Sequence, residues 1–221
     1  NEMAMTYYNN FIKQYPQSSY VKTALLNQGL IYYNTERDEQ ALKTFDRLMT
    51  QYPGTDEARD ALSTVKNIYI AQNRVDDYFI YVKRTTKQSV STVEQDSTTF
   101  LAVEERYQQA DYENAAAGLE SYLSKFPNGL FTLKAHWLLA DTYFRQGQND
   151  KALPHYIEVA SAGTNQYSER SLYNAANIAF GLGDYNKAAT LYQRLTENAE
   201  SDASLLQGKV GGLRCAVALG R

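Results

Sequence analysis

The sequence predicts an all-α protein in which helical hairpins stack into a solenoid. Alanine recurs along the chain at a spacing of about 37 residues, at Ala4, Ala41, Ala115, Ala152 and Ala188. Proline follows the same spacing at Pro16, Pro53 and Pro127. Two residue types that recur at the same spacing indicate an internal repeat. A period in this range is typical of repeats in which each helix pair packs only on its neighbours.

The repeated alanines and prolines run along the whole sequence, so we expect residues 1–221 to form one elongated domain. We expect complete repeats at residues 18–54, 55–91, 92–128, 129–164 and 165–201. The second helix of a repeat precedes them at residues 1–17, and the first helix of another follows at residues 202–221. Because the chain opens and closes within a repeat, we expect it to be a fragment of a longer protein.

Helical periodicity is clearest in the repeat of residues 18–54. Apolar and small residues recur at three-and-four spacing over residues 24–33, the polar stretch 35–40 interrupts them, and residues 41–49 resume the pattern. The small pair Gly29 and Ala41 would let the two helices approach closely. This repeat therefore predicts two antiparallel helices.

Helix ends are marked by capping and terminating residues. Ser18 or Ser19 can cap the first helix of its repeat, and Pro53 ends the second because proline has no backbone donor. Ser91 with Glu94 fits a capping box for the helix that follows. The least regular repeat is that of residues 55–91, where the bulky Tyr78 stands at the alanine position and should splay the hairpin.

These residues resemble the tetratricopeptide repeat, whose signature is W-x2-L-G-x2-Y, then A-x3-F, then P. The match reads Leu25-x2-Gln28-Gly29-x2-Tyr32, then Ala41-x3-Phe45, then Pro53, with Leu in place of Trp and Gln in place of Leu. The resemblance covers essentially the whole chain. It implies a right-handed superhelix of antiparallel helix pairs that serves as a scaffold for protein binding.

The extended repeat resembles the tetratricopeptide proteins of the bacterial cell envelope. The aromatic-proline junctions after second helices carry this likeness, at Tyr15-Pro16, Tyr52-Pro53 and Phe126-Pro127. The resemblance implies a periplasmic or envelope-associated location, with the cytoplasm as the alternative.

Charge and hydropathy argue against nucleic acid and membrane as partners. The chain has 22 Lys and Arg against 25 Asp and Glu, a net charge of −3, with both signs mixed throughout. The basic footprint of a nucleic-acid binder is therefore missing. No apolar run reaches the ~18 residues of a membrane-spanning helix, so we expect no direct membrane insertion by this fragment.

Catalytic and metal-binding constellations are not evident either. His136 and His155 each lack a Cys or a second His at ligand spacing, and Cys215 stands alone. The adjacent pairs Asp76-Asp77 and Glu104-Glu105 point in different directions on a helix, so neither forms a paired-carboxylate site. We therefore predict a protein that is not an enzyme and that has no cofactor and no metal.

In the resembled family, the first helices of successive repeats line a concave groove that holds peptides or partner segments. The corresponding positions here combine aromatic side chains with a polar stripe. The candidate binding residues are Phe100, Glu104, Tyr107, Trp137, Asp141, Phe144, Tyr173, Asn177 and Phe180. Alternatively, the aromatic members pack one first helix on the next. Glu104 and Asp141 would disfavour an anionic ligand, so we expect a neutral-to-basic segment.

The function that the resemblance implies is a non-catalytic scaffold that binds a peptide or protein segment in this aromatic groove. A carbohydrate or nutrient-capture module is the first alternative, because Trp137 beside Asp141 would also suit a sugar. The helical regulatory domain of a larger enzyme is the second. The sequence leaves the identity of the partner and the oligomeric state open.

Overall fold

A computed structural model describes residues 2–221, and this part of the chain is helical without any strand. Twelve α-helices follow one another: α1 (Glu2–Gln14), α2 (Val21–Asn34), α3 (Asp38–Gln51), α4 (Asp56–Ala71), α5 (Val75–Thr86), α6 (Thr92–Gln108), α7 (Tyr112–Lys125), α8 (Thr132–Arg145), α9 (Asn149–Ser161), α10 (Ser168–Gly181), α11 (Tyr185–Glu197) and α12 (Asp202–Ala218). Within residues 2–221, no helix is both long enough and apolar enough to cross a bilayer.

The ten helices from α2 to α11 occur as pairs, and each pair lies within one of the predicted repeats. Three-residue connections join α2 to α3, α4 to α5, α6 to α7, α8 to α9 and α10 to α11. A connection this short makes the two helices an antiparallel hairpin. The prediction of an all-α fold built from helix pairs is confirmed.

The chain divides into two compact units, of which the first ends at Ala102 and the second begins at Val103. In the first unit, α2 and α3 pack closely along their length, and α4 packs on both of them. Phe45, Leu25 and Leu48 are fully buried at the centre of this unit. Its core is one cluster that extends from Ile12 to Val90.

The second unit is a succession of helices, each packed on the ones before and after it. The strongest packing joins α8 with α9, α9 with α10, α10 with α11 and α11 with α12, while α10 also contacts α12. The second-helix alanines Ala152 and Ala188 are fully buried, and so is Tyr156 four residues after the first of them. This neighbour-to-neighbour order is the packing expected of a solenoid.

Close approach within the first hairpin depends on glycine, as predicted, but its partner is an aromatic ring. A Cβ atom added to Gly29 would lie 2.7 Å from Cδ1 and Cζ of Phe45. The missing side chain of α2 therefore makes the recess that the Phe45 ring of α3 fills. Ala41 is fully buried in the same hairpin.

First helices end at a residue with left-handed backbone conformation. The non-glycine residues Glu36, Asn73 and Ala110 have φ between 55° and 61°, and Gly147, Gly183 and Gly220 have φ between 69° and 82°. The N–H of the following residue donates to a carbonyl oxygen five residues back, as Arg37 does to Tyr32 at 2.9 Å. This bond closes the helix and turns the chain sharply.

The predicted caps are correct for one helix and wrong for another. α2 begins at Val21 after Tyr20, and no side chain caps it. Ser18 instead accepts a hydrogen bond from the Tyr20 N–H at 3.3 Å, because the residues after Pro16 form turns before the helix starts. Ser91 does cap α6, since its Oγ accepts from the Glu94 N–H at 3.2 Å.

The repeat of residues 55–91 is packed differently from the others. Tyr78 is 2% exposed and lies between Tyr69 and Phe79, with ring centroids 6.4 and 5.8 Å away. α4 packs less extensively on α5 than on the preceding hairpin. α4 and α5 also pack less extensively on each other than the helices of the α2–α3, α8–α9 and α10–α11 hairpins do. That the bulky Tyr78 ring splays this hairpin stays a prediction.

Candidate functional site

The candidate site lies on the first helices of the second unit. We call the surface formed by the following residues the first-helix face: Glu104 and Tyr107 of α6, Trp137, Asp141 and Phe144 of α8, Tyr173, Asn177 and Phe180 of α10, and Arg214 of α12. Successive first helices present these residues at equivalent positions, because each residue lies 36 or 37 positions after its counterpart. The face therefore combines aromatic rings with a polar stripe, as predicted.

A buried carboxylate organises the α6–α8 end of the face. Asp141 is only 3% exposed, and its Oδ2 accepts a hydrogen bond from the Tyr107 hydroxyl at 2.5 Å. The Arg145 guanidinium, one helical turn later, forms an ion pair with the same oxygen. Burial and the bond to Asp141 raise the pKa of Tyr107 to about 12, so this hydroxyl stays protonated and remains a donor near neutral pH.

Glu104 is also paired, with the Lys134 ammonium of α8. Both carboxylates of the predicted polar stripe thus have a cation beside them. The expectation of a neutral-to-basic ligand depended on these two charges being free, and the structure removes its basis. The Glu104–Lys134 ion pair and the Tyr107–Asp141 hydrogen bond link α6 to α8.

Aromatic residues on α8 differ in how much of the ring is available. The Trp137 ring stacks on Tyr167 at a centroid distance of 4.8 Å and an interplanar angle of 23°. One of its faces is therefore covered by the start of the next hairpin. Phe144 is 43% exposed, and the Tyr156 ring meets it edge-to-face at 6.4 Å. Phe144 is the most accessible aromatic ring of the face.

The α10–α12 end of the face contains a second polar group and a cation. Asn177 Oδ1 accepts from the Tyr192 hydroxyl at 2.6 Å, and its Nδ2 donates to the Tyr173 carbonyl oxygen at 3.0 Å. Tyr173 and Phe180 are half-buried on the same helix. The Arg214 guanidinium lies over the Phe180 ring, 4.6 Å from its centroid. Sequence reasoning did not recognise this cation–π contact, because its two partners belong to different hairpins.

Phe100 is the one predicted binding residue that lies outside this surface. It belongs to the first unit and is completely buried. A side chain without solvent exposure cannot contact a partner unless the fold opens. For Phe100, the alternative interpretation, core packing of the first helix, is therefore correct.

Two histidines that looked isolated in the sequence are in contact. The Nδ1 atoms of His136 on α8 and His155 on α9 are 2.9 Å apart, so the N–H of one ring donates a hydrogen bond to the unprotonated nitrogen of the other. Tyr143 stacks on His155 at an interplanar angle of 18°, and its hydroxyl bonds to Glu120 of α7. Burial lowers the pKa of His136 and of His155, and the proximity of His136 lowers that of His155 further.

This pair predicts a loss of stability on mild acidification. The folded pKa values lie below the ordinary value of about 6.5, so the unfolded chain binds more protons as the pH falls below that value. Glu120 and Glu158 oppose the shift without reversing it. Urea unfolding should show that the wild-type protein loses more stability between about pH 7.5 and about pH 5.5 than the double variant His136→Asn, His155→Asn. An equal loss would contradict the prediction.

The histidine pair does not extend to a larger ligand set. Within residues 2–221, no three His, Cys, Asp or Glu side chains come together to hold a metal ion. Cys215 is fully buried, and burial raises the pKa of its thiol, so this sulfur is a packing group. The predicted absence of metal, cofactor and catalysis remains a prediction.

Comparisons with known proteins identify the family. Two family models described as "Tetratricopeptide repeat" match the chain, one over residues 131–201 and the other over residues 1–18 and 23–55. Together they cover more than half of the sequence. No curated protein matches the chain.

Solved structures give remote likenesses. One has the nearly identical TPR-like repeats of a protein described as a kinesin light chain of Podosopora anserina. It is 10% identical with a TM-score of 0.39, and the match covers 84% of this chain and 100% of that one. Another is a thermophilic TPR protein of Thermus thermophilus, 19% identical with a TM-score of 0.35, over 90% of this chain and all of that one. On the strength of the sequence models, this chain contains tetratricopeptide repeats.

Proposed function

We propose that the chain is a non-catalytic scaffold that binds a peptide or protein segment on the first-helix face of its second unit. Tetratricopeptide repeats generally mediate protein–protein interactions. The observation that supports this particular surface is the exposed Phe144 ring beside polar groups that are already hydrogen-bonded to one another. Such a surface costs little ordering on binding, because its side chains are held before the partner arrives.

The arrangement suits a protein segment better than a sugar. Carbohydrate stacking needs an open aromatic face, whereas Trp137 is stacked on Tyr167. The Asp141 oxygen that would accept from a sugar hydroxyl already accepts from Tyr107 and Arg145. An exposed ring next to rigid polar groups is instead the composition of a protein-binding hot spot.

The repeat itself supports a narrower family relationship. Left-handed residues end the first helices at intervals of 36 or 37 residues, longer than the family period of about 34. We therefore propose a member with extended repeats, of the kind found in the bacterial cell envelope. Fractionation of the native host with an antibody to this chain tests the location, and recovery in the cytoplasmic fraction would contradict it.

The binding proposal is tested by site-specific crosslinking. A photoreactive phenylalanine analogue at position 144 should capture a partner in the host, whereas the same analogue at Ile80, an exposed position on α5, should not. The captured partner is then purified, and its affinity is measured for the wild-type chain and for Phe144→Ala and Ile80→Ala. We expect Phe144→Ala to weaken binding by at least about 2 kcal/mol. Equal affinity of both variants would contradict the assignment of this face.

A further inference from the structure

We infer that the segment bound on the first-helix face is acidic, and that Arg170 and Arg214 receive its aspartate or glutamate side chains. This inference rests on the proposed function and adds the chemistry of the partner. It starts from a comparison of paired and unpaired charges on α8, α10 and α12.

The negative charges of the face are already neutralised within the protein. Glu104 pairs with Lys134, and Asp141 pairs with Arg145 and accepts from Tyr107. Two further cations, Arg214 on the face and Arg170 beside it on α10, have no such partner. Across residues 2–221, neither Arg170 nor Arg214 has a carboxylate within salt-bridge distance. The face and its edge therefore carry two uncompensated positive charges.

Arg170 lies on the same side of α10 as the predicted binding residues. Arg170, Tyr173 and Asn177 are separated by three and four positions, so they share one helix face. The positive charge of Arg170 also acts on the Tyr156 hydroxyl, where it opposes the rise in pKa caused by burial. Tyr156 is thus a shared neighbour, because its ring also meets Phe144 edge-to-face.

Arg214 is held at the other end of the face. Its guanidinium lies over Phe180 at 4.6 Å, and its charge reaches Tyr192, which bonds to Asn177. Stacking on a ring leaves the edge N–H donors of a guanidinium free to bind a carboxylate in a bidentate manner. A chain that passes over α10 and α12 would thus meet Arg170, Phe180 and Arg214.

A protein segment fits this pattern better than a nucleic acid. Nucleic acids are bound through many phosphate contacts from a broad basic surface. Here the net charge of the chain is −3, and the face and Arg170 beside it offer only two free cations among aromatic rings. Two guanidinium groups separated by apolar contacts match acidic side chains interspersed with apolar ones.

The test uses three fluorescent peptides of equal length with the same apolar residues and with glutamate, glutamine or lysine at every other position. A single-stranded oligonucleotide of similar length is the fourth probe. Affinities are measured by anisotropy for the wild-type chain, Arg170→Gln, Arg214→Gln and the double variant. Lys209→Gln is the matched control, because Lys209 is an exposed cation on α12, and five positions along a helix place it on a different side from Arg214.

We expect the glutamate peptide to bind most tightly and to lose affinity as salt is added. Each arginine variant should weaken it several-fold and the double variant on the order of tenfold, whereas Lys209→Gln should leave it within about twofold. Tighter binding of the lysine peptide or the oligonucleotide, or no binding of the glutamate peptide, would overturn the inference. If the glutamine peptide binds as tightly as the glutamate peptide and Phe144→Ala abolishes both interactions, the acidic specificity fails while the binding face stands.

Discussion

Replacement of Phe45 by alanine is expected to lower the free energy of unfolding of the first unit by about 3–5 kcal/mol. The ring is completely buried at the centre of this core and fills the recess above Gly29. Its removal loses apolar burial and leaves a cavity in the core. Urea unfolding followed by circular dichroism measures the change, and Ile80→Ala, at a position 66% exposed, should cost less than about 0.5 kcal/mol.

A double-mutant cycle separates the recess from general core packing. Gly29→Ala alone should destabilise the hairpin by about 1–3 kcal/mol, because its methyl group would overlap the Phe45 ring. In the Phe45→Leu variant the shorter side chain no longer fills the recess, so adding Gly29→Ala to it should destabilise the hairpin much less. Additive effects would mean that Gly29 and Phe45 do not share this space.

The second large effect concerns two glycines of α12 that should respond to the same substitution with opposite signs. A Cβ atom on Gly208 would lie 2.9 Å from the Tyr192 carbonyl oxygen and 2.9 Å from the Thr196 nitrogen. Both are backbone atoms of α11, so Gly208→Ala must push the helices apart, at a cost of about 1–3 kcal/mol. Gly212 has nothing within 4 Å, and Gly212→Ala should stabilise the helix by about 0.5–1 kcal/mol.

Amide hydrogen exchange is the appropriate measurement, because a solenoid can open at α12 while the rest stays folded. Exchange over residues 202–218 should be faster in Gly208→Ala than in the wild-type chain, and slower in Gly212→Ala. Protection that increases in both variants would show that α12 does not approach α11 as closely as the structure indicates.

Gly208 also illustrates what repeat alignment could not predict. The positions that correspond to it in other repeats are small and buried, but each carries a side chain: Ala24, Ala61, Thr98, Ala135 and Ser171. By sequence, alanine would be the normal residue here. The hairpins, their order and the buried alanines follow from the spacing, because hydrophobic periodicity fixes which face of a helix is buried. The distance between two particular helices depends on the side chains of both.

The candidate site could likewise be predicted only in part. The alignment of its residues on successive first helices was predictable, since residues one repeat apart occupy equivalent positions. That Asp141 would be neutralised by Arg145 had a local signal, because residues four apart on a helix are neighbours. The pairing of Glu104 with Lys134 had none, since it joins different helices. His136 and His155 are too far apart in the sequence to form a local metal-ligand motif. They meet because the hairpin turn between them brings together residues that lie at similar distances before and after it.

The three-residue connections within the hairpins restrict where residues can be inserted into such a chain. Each one is closed by a left-handed residue and a backbone hydrogen bond, so an insertion there would disrupt a turn that both helices need. The junctions between hairpins are longer and consist of turns, as over residues 126–131 and 162–167. Natural insertions, affinity tags and circular-permutation break points should therefore be tolerated between hairpins and rejected within them.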